Sequence, residues 1–125
     1  MIAKSSRYFL VLVFAFGFSA NLFAHTKLAS SIPAADQVLS AAPEQLQLVF
    51  GADVRLMLLI VKQQDGAPID FQFAASTTVG KTFTYPLPPI AAGTYSVEWA
   101  ILGGDGHRMQ GDFHFSVSDT NKPNE

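Results

Sequence analysis

The chain has 125 residues, with 8 Lys+Arg, 10 Asp+Glu, 3 His and no cysteine. The missing cysteines exclude a disulfide scaffold, a thiolate nucleophile and any thiolate metal site. A net charge of −2 gives no basic footprint for nucleic acid, so a metal site, if there is one, has to draw on His, carboxylate, Met or backbone groups.

In chain order, the first segment does not read as part of a globular fold. Lys4 and Arg7 precede the apolar run "YFLVLVFAFGFSANLFA", which ends at Ala24. This is the layout of a secretory signal peptide: a cationic start, an apolar centre and a small residue at the cut. The apolar centre, residues 9–18, is too short to cross a bilayer comfortably. The competing readings are an uncleaved anchor, because Leu22 is large for its place before the cut, and cleavage after Ala20. With residues 1–24 removed, 101 residues remain, carrying 6 Lys+Arg and 10 Asp+Glu, a net charge of −4. That is one small domain, exported and held by its apolar core alone.

The rest reads as strands. "HTKLASSIP" is an edge strand stopped by Pro33. "EQLQLVF" alternates, with Leu46, Leu48 and Phe50 on one face. "RLMLLIVKQQ" is a longer apolar strand ended by the Asp65–Gly66 turn signal, and Met57 within it reads as core filler. "IDFQF" and "KTFTY" alternate again, and "YPLPPIAAG" is a connection. "GTYSVEWAI" places Tyr95, Val97, Trp99 and Ile101 on one face, and "GDFHFSV" turns Phe113, Phe115 and Val117 inward and His114 outward. Residues 119–125 form a polar tail expected to fray. About seven short strands without a helical segment predict an all-β fold, an immunoglobulin-like antiparallel sandwich or Greek-key barrel.

One stretch departs from plain turn chemistry. "GGDGHRMQG" holds Asp105 and His107 two residues apart, where extended side chains share one side, with Gly106 keeping the approach clear. Cleavage after Ala24 would make His25 the first residue. An N-terminal histidine offers two nitrogens, the imidazole and an α-amine whose ordinary pKa of about 7.7–8.0 lets a divalent ion displace its proton. Amine, two imidazoles and a carboxylate suit tetragonal Cu(II), which also binds most tightly in the divalent series. Read singly, each residue also fits an ordinary role: His25 a frayed terminus, Asp105–Gly106 a hairpin turn, His107 a polar strand residue.

The segments "HTKLASSIPA", Ala42–Pro43, "LQLVF" and above all "AGTYSVEWAILGGDGHRMQGDFHFSV" resemble the CopC family of periplasmic copper-binding proteins over residues 25–118. The resemblance implies an immunoglobulin-like fold. It also implies one Cu(II) bound by the amine and imidazole of His25 with Asp105 and His107, a role in copper homeostasis or resistance, and a CopD-like membrane transporter as partner. Three departures matter. No methionine-rich segment is present, only Met57 and Met109, so no dedicated Cu(I) site is expected. The family's Phe-Ser-Glu becomes Phe50–Gly51–Ala52 with Asp53 next, and its proline after Asp-Gly-His becomes Arg108, expected to sit in solvent. His114 is expected to be an exposed strand residue, and Tyr95 and Trp99 core aromatics. No catalytic constellation is present, so the chain is read as a carrier or buffer and not an enzyme. The rival readings are a histidine-brace oxidative copper enzyme and a metal-free immunoglobulin-like interaction module.

Overall fold

The computed structural model describes residues 27–119. His25, the proposed cleavage point and the polar tail from residue 120 lie outside the described residues. Within them the chain forms six strands and no helix: β1 (Leu28–Ile32), β2 (Val38–Leu39), β3 (Gln45–Gln63), β4 (Gly80–Pro86), β5 (Gly93–Gly103) and β6 (Arg108–Val117).

The strands join in the order β1-β3-β5-β6-β2, with β4 on the other edge of β3. All pairings are antiparallel except β2 with β6. β3 carries the architecture. Its first half pairs with β1 on one edge (Leu48 opposite Ser31) and with β4 on the other (Leu48 opposite Phe83). Its second half exchanges β1 for β5, from Val54 opposite Gly103 to Gln63 opposite Tyr95. Gly51, Ala52 and Asp53 form the exposed changeover. The sheet therefore curls on itself, and Leu46, Leu48 and Phe50 of the first half share one core with Leu56, Leu59, Val61, Val97 and Phe115.

The sequence predicted two strands over this region where the structure has one. Small residues at 51–53 look like a turn, but the hydrogen-bond ladder resumes on the same edge with a new partner. "IDFQF" is not a regular strand. Its amides do meet β3, with Ile69 N donating to Val61 O at 2.7 Å. Gln72 takes a positive φ of 58°, however, and its amide donates to the Asp70 carboxylate at 3.0 Å, which interrupts any ladder. Phe71 and Phe73 nevertheless reach the core edge, their rings 5.9 and 5.5 Å from that of Tyr85.

The inward faces follow the alternation. Tyr95, Val97, Trp99 and Ile101 are buried, as are Phe113, Phe115 and Val117. Tyr95 stacks on Phe115 at 5.3 Å, and Phe50 meets Trp99 edge-on at 5.3 Å. Met57 is a correction: it is 41% exposed and not core filler. The register slips between Leu56 and Leu58, so Met57 is the extra residue of a bulge and is pushed out of the alternation.

Candidate metal centre

β5 and β6 are joined by a tight connection whose geometry is set locally. Gly103 N donates to His107 O at 2.9 Å, and Gly106 N donates to Gly103 O at 3.0 Å. Gly106 has φ of +83°, a region that favours glycine. Inside this turn Asp105 grips His107 twice. Its Oδ1 accepts the His107 backbone N–H at 3.1 Å, and its Oδ2 lies 2.8 Å from His107 Nδ1. The accepted backbone N–H, and after it the bond to the ring, hold the Asp105 carboxyl below the usual aspartate range. Both side chains stand in solvent, 66% and 79% exposed.

This arrangement has a chemical consequence. A carboxylate on Nδ1 fixes the tautomer and orientation of an imidazole and leaves Nε2 as the free lone pair, the geometry that metal-binding histidines share. The sequence placed Asp105 and His107 side by side as independent donors. The structure brings them together as a hydrogen-bonded unit. Asp followed by Gly, with an amide two residues on, is the signal of such an Asx-turn.

The β3 register fixes what lies around the turn. β4 pairs with one edge of β3 between Gln45 and Val54, so β1 and β5 follow each other along the other edge. Gly51 N donates to Lys27 O at 3.2 Å, and Val54 lies opposite Gly103. The start of β1 and the end of β5 thus converge on the changeover of β3, with Asp53 exposed between them.

The other expectations sort as follows. His114 is exposed on the outer face of β6, with Nδ1 4.0 Å from Asp112. Arg108 is exposed and makes no ion pair with a described residue. Met109 is partly buried against the core, on the inward side of the sheet and across it from the bulged-out Met57. Among the described residues no group of three His, Asp or Glu is poised to hold a metal ion. The turn brings two donor-type side chains together, Asp105 and His107.

Fold and turn together define an all-β sandwich with a solvent-facing histidine turn, and comparison with known proteins narrows the class. Residues 28–118 match the CopC domain, and the chain belongs to that family. It is 31% identical over 111 residues to copper resistance protein C of Escherichia coli, covering 81% of this chain and 87% of that one. Among solved structures, CopC from Methylosinus trichosporium OB3b superposes with a TM-score of 0.64 at 24% identity, over 78% of this chain and 98% of that one. The methionine-rich copper resistance protein PcoC from E. coli superposes with a TM-score of 0.62 at 29% identity, over 75% and 99%.

Proposed function

We propose that the protein is a periplasmic carrier or buffer for Cu(II), serving copper homeostasis or resistance. His25 contributes its α-amine and imidazole, and His107 and Asp105 complete the donor set. The observation that supports this reading is the Asp105–His107 clasp at the changeover of β3, on the edge where β1 begins. His25 stands two positions before Lys27, a reach of about 7 Å in extended chain, and Lys27 is already bonded to Gly51 at that changeover.

Three nitrogens and one carboxylate oxygen form a borderline set without thiolate, which favours Cu(II) over softer Cu(I). Cu(II) also leads the divalent series, so zinc or nickel would need a large excess to compete. Four protein donors hold an ion tightly and leave no equatorial position for a substrate, which suits transport and not turnover. A histidine-brace enzyme would keep that position free for oxygen, whereas the proposed donor set gives it to Asp105. Delivery to or from a CopD-like membrane transporter fits a site carried on an exposed turn.

The test is to isolate the chain from the periplasm, determine its first residue and titrate it with Cu(II) under EPR. A chain starting at His25 with one tight, tetragonal, nitrogen-rich site is the expected result. A different first residue with only weak copper binding would defeat the proposal. Oxygen consumption with ascorbate on a polysaccharide would instead favour the brace enzyme.

A further inference from the structure

Three glycines stand at the turn between β5 and β6: Gly103, Gly104 and Gly106. They are not alike. Gly106 is required by its backbone, since φ of +83° lies in the region that favours glycine. Gly104 has no such φ, and a Cβ built on it meets no atom within 4 Å. Gly103 has no such φ either. It closes β5 opposite Val54, a place where glycine forgoes packing and loosens the chain relative to alanine. Yet a Cβ on Gly103 would lie 2.9 Å from Asp105 Oδ1, with His107 O at 3.7 Å and Asp105 Cγ at 3.9 Å.

The two longer separations are ordinary van der Waals contact, so the backbone need not move. Only Oδ1 is too close, and it is the far end of an exposed side chain that can rotate away. Oδ1 is also the atom that accepts the His107 N–H, at 3.1 Å, already towards the long end of such bonds. The carboxylate is planar, so displacing Oδ1 also turns Oδ2 away from His107 Nδ1, which it meets at 2.8 Å. Both bonds of the clasp thus depend on the space left by one missing methyl group.

We infer that Gly103 is a positioning residue for the candidate metal turn: the room beside its Cα lets the Asp105 carboxylate close on His107, and so selects the imidazole nitrogen that is offered to a metal. Gly103 acts through Asp105 and touches no ligand itself. With the clasp closed, Nδ1 of the neutral ring carries the proton and Nε2 presents its lone pair. With a side chain at position 103, the carboxylate swings into solvent. The ring then exchanges between its two neutral tautomers and turns more freely. The state of the ring follows from the turn alone, whereas its effect on copper rests on the proposed Cu(II) site.

The test compares Gly103→Ala with Gly104→Ala, which adds the same methyl group one residue away in open space. Nitrogen NMR of the imidazoles in the metal-free protein, with His107 neutral, reports the tautomer. The parent and Gly104→Ala should show His107 protonated on Nδ1, and Gly103→Ala should show the two tautomers mixed. Cu(II) affinity, read by competition with a chelator, should fall about tenfold in Gly103→Ala and stay unchanged in Gly104→Ala. Circular dichroism should report an unchanged fold in both. In an Asp105→Ala background, Gly103→Ala should alter neither the tautomer nor the affinity, because the atom it displaces is gone. A His107 spectrum that Gly103→Ala leaves unchanged overturns the inference. So does an equal effect of Gly104→Ala, a full effect of Gly103→Ala without Asp105, or a Gly103→Ala chain that fails to fold. A parent that binds no copper would defeat the Cu(II) reading, while the imidazole spectra would still decide the role of Gly103.

Discussion

β5 and the turn that follows it are neighbours in sequence and opposites in what holds them. From Tyr95 to Ile101 the strand is buried on its inward side by Phe50, Phe113 and Phe115, and its positions are set by residues tens of positions away. From Gly103 to His107 the chain is held by four short-range hydrogen bonds and is otherwise in solvent. Packing makes the first rigid and intolerant of change. Local geometry makes the second precise yet accessible, which the proposed ion site would require. Stability and function are thus separable in this protein, and substitutions can test how cleanly.

The largest effect should come from the core. Phe115→Ala removes a fully buried ring stacked on Tyr95 and should cost about 3–5 kcal/mol in urea unfolding. Next comes Gly111→Val. A Cβ at Gly111 would sit 2.5 Å from Trp99 Cζ2, so the indole has to move, at about 1–3 kcal/mol. Fluorescence of Trp99, the single tryptophan, should shift with it. Gly106→Ala should cost about 1–2 kcal/mol, because φ of +83° is strained for any side chain. If it proved as costly as Phe115→Ala, the turn would be a structural keystone and the contrast would fail.

Tyr95→Phe removes the hydroxyl that donates to Ala91 O and should cost about 0.5–1.5 kcal/mol. Burial raises the Tyr95 phenol above its ordinary value of 10.0. The contribution is therefore complete below that value and lost as pH rises through the higher folded one. The variant should show a flatter alkaline loss of stability than the parent. The smallest effect on stability belongs to Asp105→Asn, which should leave the urea midpoint unmoved while Cu(II) affinity, read by competition with a chelator, falls about tenfold or more. An unchanged affinity would remove Asp105 from the site.

The sequence disclosed the core well because alternation is a local pattern. Tyr95 to Ile101 and Phe113 to Val117 could be assigned to the inward face from spacing alone, and the structure buries them. It disclosed less where a partner change mattered. Gly51 to Asp53 has the composition of a turn, yet β3 passes through it because β5 takes over the edge that β1 leaves. Met57 matched a continuous apolar run, but a one-residue slip opposite Ile101 and Ala100 put it outside. Asp105 and His107 were recognisable as donor types. Their mutual grip was not, because it depends on the φ of Gly106 and on where the Asp105 oxygens fall.

By itself, then, the sequence determined the all-β class, the inward residues of each strand and the residue types able to bind a metal. These follow from period-two alternation and from side-chain chemistry, both local properties. The tertiary structure alone decided that β1 and β5 share one edge of β3 and that the Asp105–His107 turn stands beside the start of β1. Those depend on register between strands far apart in the chain, and register is set by the packing of the whole core and not by any one segment.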